Sequence, residues 1–220
     1  MLEELTKANE YIVNKIEKYV EMNEILREIE TSSLENNVPI ISKETAEFIK
    51  FLIRSNKNIK NVLEIGTATG YSGITMLNEI INRNGFLTSI EIDEKRYGEA
   101  KLNFKKMKID EKNYNLILGD ASLEIEKLNQ KYDFIFIDAA KGQYKTFFEK
   151  SFQLLNDGGL IFIDNILFRG YIYKEIPKRY KTIVKNLDEF IDFLYENYNF
   201  TLLPFSDGIG LVYKESRKEL

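Results

Sequence analysis

Apolar residues recur at near-helical spacing over 1–36, at Leu2, Leu5, Ile12, Ile16 and Tyr19, with Glu and Lys between them. That spacing predicts amphipathic helix. The pattern continues through Glu24–Asn37 and is expected to break at Asn36, Asn37 and Pro39. A further amphipathic helix is predicted over Lys43–Arg54, with Ser42 as its N-cap. From Asn61 the period changes to short apolar runs: Val62–Ile65, Phe86–Ile92, Tyr114–Leu118, Tyr132–Ile137, Leu160–Ile163, Phe200–Leu203 and Ile209–Tyr213. Helix-like stretches such as Gly70–Asn82, Lys95–Lys106 and Leu187–Tyr198 separate the first six. Near-continuous apolar strands alternating with helices predict a mostly parallel sheet of about seven strands with helices on both faces. Only Pro204–Gly208 separates the last two runs, a hairpin-length connection that predicts an antiparallel final strand. The expected organisation is one domain, with a helical segment over 1–58 and an α/β core over 59–220.

Composition narrows the chemistry. The 220 residues include no Cys and no His. Disulfides, thiolate zinc sites, cysteine nucleophiles, imidazole ligands and Ser-His-Asp triads are therefore excluded. Any metal must be held by oxygen, which favours Mg²⁺, Ca²⁺ or Mn²⁺. The formal charge of −4 makes no global case for nucleic-acid binding. Met1–Glu10 is too polar for a signal peptide, and no apolar run is long enough to span a membrane, so a cytoplasmic protein is expected.

Candidate chemistry gathers at strand ends. In Val62-Leu63-Glu64-Ile65-Gly66-Thr67-Ala68-Thr69-Gly70-Tyr71-Ser72 a buried strand runs into a glycine loop that feeds a helix, the place where open α/β sheets bind ligands. The G-x-x-x-G spacing is neither the dinucleotide fingerprint nor a Walker loop. Glu64 is a poor neighbour for pyrophosphate and a good one for a positively charged ligand. The alternative is a tight β–α turn whose glycines serve packing. Glu91 closes the next strand and suits two ribose hydroxyls. Gly119-Asp120-Ala121 ends the third, where a carboxylate can accept from an adenine amino group. These residues resemble the class I S-adenosylmethionine-dependent methyltransferases, over about Val38 to Tyr213, which implies a Rossmann-like fold.

Two further strands end in Asp138-Ala139-Ala140-Lys141 and Asp164-Asn165. Taken singly, Asp138 reads as a helix N-cap and Asp164-Asn165 as a turn. Together, two carboxylates and an amide oxygen on adjacent strand ends make a hard-cation site. Joint ligation by Asp164 and Asn165 requires the strand to have ended there. This set is similar to the divalent-metal-dependent O-methyltransferases related to the catechol and caffeoyl-CoA enzymes. The resemblance implies S-adenosyl-L-methionine and Mg²⁺ as cofactors, with Asp138, Asp164 and Asn165 as metal ligands. It makes Lys141 the catalytic base beside Asp138. It carries cofactor contacts onto Ile41 (or Ile40), Glu64, Gly66, Thr67, Ser72, Glu91, Asp120, Ala121 and Asp138. A cation lowers the pKa of a coordinated hydroxyl and directs it, so an acceptor with vicinal oxygens is expected.

Arg169–Lys185 carries six basic residues and one acidic one, interleaved with Tyr171, Tyr173 and Tyr180. A solvated helix with ordinary lysines is one reading. However, Lys178-Arg179-Tyr180-Lys181-Thr182-Ile183-Val184-Lys185-Asn186-Leu187 resembles the bacterial tRNA 5-hydroxyuridine methyltransferases. That implies tRNA as the partner, methylated at wobble 5-hydroxyuridine to 5-methoxyuridine, with Arg169, Lys178, Arg179 and Lys181 contacting RNA. The alternative is a small phenol of the catechol or caffeoyl-CoA type. The N-terminal helices are expected to cap the substrate site or to form a homodimer interface.

Overall fold

The computed structural model describes residues 2–215, with side chains from residue 7 onward. The expected contributions of Leu2 and Leu5 to an apolar face lie outside the described side chains. The strands are β1 (Asn61–Ile65), β2 (Phe86–Glu91), β3 (Tyr114–Leu118), β4 (Tyr132–Ile137), β5 (Leu155–Ile163), β6 (Asn199–Leu203) and β7 (Ile209–Tyr213). They form one sheet in the order β3-β2-β1-β4-β5-β7-β6. β7 runs antiparallel to both β5 and β6, and the pairs from β3 through β5 are parallel. This is the mostly parallel seven-stranded sheet that the strand pattern predicts, in the Rossmann-like arrangement that the resemblance implies.

Side chains alternate across a strand, so each apolar run serves two cores. Ile135 and Ile137 of β4 pack with Phe147 and Phe148 of α7 (Tyr144–Leu154) and with Leu187, Phe190 and Leu194 of α8 (Lys181–Asn197). Phe134 and Phe136 point the other way. They meet Leu26 and Ile29 of α2 (Glu24–Glu35), Ile49 and Ile53 of α3 (Lys43–Ser55), Ile74 and Leu77 of α4 (Tyr71–Ile80), and Phe104 of α5 (Glu94–Lys106). The N-terminal helices thus share a core with the sheet. No helix among the described residues is long and apolar enough to cross a membrane.

Several boundaries differ from the sequence reading. The helical stretch over 1–36 is two helices, α1 (Leu2–Tyr19) and α2. Asn23 separates them, because its Oδ1 accepts from the amides of Ile25 and Leu26 and caps α2. Ser42 caps α3 as expected, accepting from Thr45 N at 3.3 Å. β5 starts at Leu155 rather than Leu160, since Gly158 N donates to Lys214 O and Lys214 N to Gly159 O. α8 starts at Lys181 rather than Leu187 and takes in part of the basic segment. β2 stops at Glu91, one residue before Ile92.

Phe162 is fully buried and its ring lies 6.1 Å from that of Phe48 in α3 and 5.5 Å from that of Phe136. Phe162→Ala is expected to cost about 3–5 kcal/mol, read from urea midpoints, because the rigid neighbours cannot collapse into the space.

Candidate active site

The parallel ladder runs one residue past the strands. Gly119 N donates to Glu91 O, Gly66 N to Ile90 O, Asp138 N to Ile65 O and Asp164 N to Ile137 O, all at 2.8–3.0 Å. The strand-end loops are therefore held side by side. They border a cavity of about 510 Å³, within the ordinary range for a small-molecule site. Gly66 has φ +102°, and a Cβ there would lie 2.0 Å from Asp138 O. Only glycine lets the β1 loop pass so close to the end of β4.

Ile41, Gly66, Thr67, Ser72, Glu91, Asp120, Ala121 and Asp138, all anticipated as cofactor contacts, line this cavity, as does Ile40. The linker between α2 and α3 lines the cavity through Pro39, Ile40 and Ile41. Glu91 Oε2 accepts from Ala68 N at 2.7 Å and Oε1 from Asp93 N at 2.9 Å. Ala68 has φ +47°, so Glu91 fixes the glycine loop in a left-handed bend. Asp120 Oδ1 accepts from Ser122 N and caps α6 (Ala121–Glu124).

Glu64 departs from expectation, because it does not reach the cavity. It shares a face of β1 with Val62, and that face turns under α4. There its carboxyl, fully buried, is held between Ser72 Oγ and Ser89 Oγ. Burial pushes the Glu64 carboxyl up to about 8, against the opposing effect of the two serine hydrogen bonds. Ser89 in turn bonds Thr67 at 2.5 Å, which links the buried acid to the cavity wall.

The acidic end of the cavity centres on Lys141. Its Nζ lies 2.8 Å from Asp138 Oδ1 and 3.4 Å from Asn165 Oδ1. It also lies 2.5 Å from Tyr144 Oη, which donates to Asp164 O at 2.8 Å. Asp164 is only 2% exposed and lies behind Asn165, whose amide donates to Asp164 Oδ1. Burial first, then the Asp138 carboxylate, raise the Asp164 carboxyl above the usual range. Burial likewise holds the Tyr144 phenol well above its ordinary value. Among the described residues no three His, Cys, Asp or Glu side chains cluster as metal ligands, so a cation site here depends on the Asn165 amide. The set fits a hard divalent cation. Its donors are all oxygens, and an ammonium already stands where Asp138 and Asn165 converge.

Of the four residues expected to meet RNA, Arg169 lines the cavity. Lys178 and Arg179, in a 3₁₀ turn, and Lys181, at the start of α8, are exposed and do not line it. Several lining residues were not anticipated, among them Arg96, Phe147, Phe168 and Asp207. Arg96 follows the α5 N-cap Asp93, and Phe147 sits on the buried face of α7. Asp207 accepts from Arg169 N at 2.6 Å and joins the β6–β7 turn to the loop after β5. The turn residues around Asp207 carried a signal; Arg96 and Phe147 carried none beyond helix patterning.

The Glu64 carboxyl ionises near 4.5 in the unfolded chain and near 8 in the folded one. Its contribution to stability is fully present below pH 4.5 and is lost as pH rises to 8. Glu64→Gln, which cannot ionise, is expected to gain stability relative to the parent across that window. Parallel urea-midpoint curves for the two proteins from about pH 5 to 8 contradict this.

Comparison with known proteins agrees with the geometry. The family model described as O-methyltransferase matches residues 16–215. Tapetum-specific methyltransferase 1 of Arabidopsis thaliana is 31% identical over 207 residues, covering 88% of this chain and 86% of that protein. A Dictyostelium discoideum protein described as probable caffeoyl-CoA O-methyltransferase 1 is 28% identical, covering 93% and 90%. A Staphylococcus aureus structure provisionally assigned as a caffeoyl-CoA O-methyltransferase superposes with a TM-score of 0.84 at 31% identity, over 93% of this chain and 98% of that one. The S-adenosylhomocysteine-bound methyltransferase PaMTH1 of Podospora anserina shares the fold, with a TM-score of 0.84 at 22% identity over 96% of each chain. The chain belongs to the O-methyltransferase family and is an S-adenosylmethionine-dependent O-methyltransferase.

Proposed function

We propose that the enzyme methylates one of two vicinal oxygens on a small phenolic acceptor, with Mg²⁺ held by Asp138, Asp164 and Asn165. The observation that carries this reading is the convergence of Asp138 Oδ1 and Asn165 Oδ1 on one point at the cavity wall. A divalent cation at that point would acidify and orient an acceptor hydroxyl. The relatives named for caffeoyl-CoA support a phenolic acceptor. Glu91, Asp120 and the glycine loop bind and orient the methyl donor. In its neutral amine form Lys141 Nζ takes the acceptor's proton, and the resulting ammonium lies beside Asp138. Pro39, Ile40 and Phe168 exclude water around the reacting centre.

A second reading, methylation of wobble 5-hydroxyuridine in tRNA, rests on a specific surface. Lys178, Arg179 and Lys181 are exposed beyond Arg169, and the Arg179 guanidinium stands 4.6 Å over the Tyr180 ring. Tyr180 stacks on Tyr171 at 5.4 Å. The ring faces toward these partners are taken, so the segment offers charge for phosphates more than platforms for bases. The hydroxyl and 4-carbonyl of 5-hydroxyuridine are also vicinal.

Methyl transfer from S-adenosylmethionine to caffeoyl-CoA and to 5-hydroxyuridine-containing tRNA, each with Mg²⁺ or chelator, tests both. The first reading predicts efficient, chelator-sensitive methylation of the phenol, with Asp138→Ala lowering it about 10²-fold or more. Activity that survives chelator contradicts the metal role. Preference for tRNA favours the second reading. In that case Lys178→Ala, Arg179→Ala and Lys181→Ala together should reduce the salt slope of RNA binding by about two to three. An unchanged slope removes the basic surface from the account.

A further inference from the structure

Tyr144 is the first residue of α7, directly after the 3₁₀ turn Lys141–Gln143, and is 1% exposed. Its hydroxyl proton is committed to Asp164 O at 2.8 Å. A phenol has one proton, so the same oxygen can only accept from its other neighbour, Lys141 Nζ at 2.5 Å. The Lys141 ammonium also stands 4.9 Å from the centroid of the Tyr144 ring. We propose that Tyr144 is a positioning residue, a fixed hydrogen-bond acceptor tied to the end of β5 that holds the Lys141 amine at the acceptor side of the cavity. The proposal rests on the reading of Lys141 as the proton acceptor.

The ammonium has three protons and three acceptors: Asp138 Oδ1, Asn165 Oδ1 and Tyr144 Oη. The first two are the oxygens that a divalent cation would claim. Tyr144 is neutral, sealed in the core and anchored to backbone, so its hold on the amine does not depend on that cation. Without it, a flexible four-carbon side chain would have no fixed partner once Asp138 and Asn165 were engaged elsewhere. Misplacement of a reacting group by about 1 Å is enough to cost on the order of 10²-fold in rate.

Tyr144→Phe removes the hydroxyl and keeps the ring. Proton–nitrogen correlation spectra of the lysine ammonium groups should show a protected Lys141 signal in the parent, identified by its loss in Lys141→Met. With saturating Mg²⁺ that signal should disappear in Tyr144→Phe, while calorimetric affinity for S-adenosylmethionine stays within about twofold. Turnover with Mg²⁺ and caffeoyl-CoA, or with a 5-hydroxyuridine oligoribonucleotide, should show kcat lowered about 10- to 100-fold with KM nearly unchanged. In the Lys141→Met background, adding Tyr144→Phe should cost less than about twofold more, since it acts through the lysine. A retained ammonium signal in Tyr144→Phe, or full additivity of the two substitutions, overturns the proposal. Failure of the parent to methylate either acceptor defeats the proposed reaction instead, and the ammonium spectrum then decides the role of Tyr144 by itself. Should Tyr144→Phe not fold, protein carrying 3-fluorotyrosine reports the contact from the other side. Its residue 144 fluorine resonance should shift on Lys141→Met, and an unshifted resonance rejects the contact.

Discussion

Acidic side chains at the carboxyl ends of a parallel sheet must be neutralised or given donors when water is withdrawn, and the site is organised by how each is satisfied. Glu64 is buried with its carboxyl pushed up to about 8 and is held by the hydroxyls of Ser72 and Ser89. Glu91 is bound by the amides of Ala68 and Asp93, Asp120 by that of Ser122, and Asp164 by that of Asn165. These partners are built into the backbone and do not exchange. Asp138 is satisfied differently, by the ammonium of the Lys141 side chain rather than by a backbone amide. The exchangeable position in the acidic wall is therefore the one that also faces Asn165. The proposed cation site and the proposed proton-accepting amine are two uses of the same local requirement.

The same strand ends explain why the cavity has a fixed shape. Gly66 passes within what would be Cβ contact of Asp138 O, and so locks the glycine loop against the acidic end. On the far side, Ile166 N and Leu167 N donate to Gly208 O and Asp207 O, and Arg169 N donates to the Asp207 carboxylate. Gly208, at φ +82°, sits against the Leu167 side chain where a Cβ would collide. The loop after β5 and the β6–β7 turn are thereby zipped into one wall, with Asn165, Phe168 and Arg169 all in the left-handed region. Such conformations are costly and persist because several hydrogen bonds over-determine them.

Much of this was legible in the chain. Phe134–Ile137 reads as a strand buried on both faces, and the structure sends its phenylalanines to one core and its isoleucines to the other. The strand-end acids and the glycine loop marked the cavity, because ligand sites in such sheets follow strand ends. What was not legible depended on partners distant in sequence. The apolar run marks β5 only from Leu160, and Gly158 and Gly159 join the strand through pairing with Lys214. Glu64 reads as a ligand contact, but strand parity turns it beneath α4, where Gly73 leaves room for its carboxyl. Arg96 and Phe147 resemble any helix residues until tertiary packing brings them to the cavity.

The central claim is that Asp138, Asp164 and Asn165 form one hard-cation site beside the Lys141 amine. A Mn²⁺ titration followed by electron paramagnetic resonance tests it without reference to any acceptor. One bound ion per chain is expected, competed by Mg²⁺, with affinity lowered at least about tenfold in Asn165→Ala. Absence of stoichiometric binding, or a bound ion indifferent to Asn165→Ala, would contradict the account.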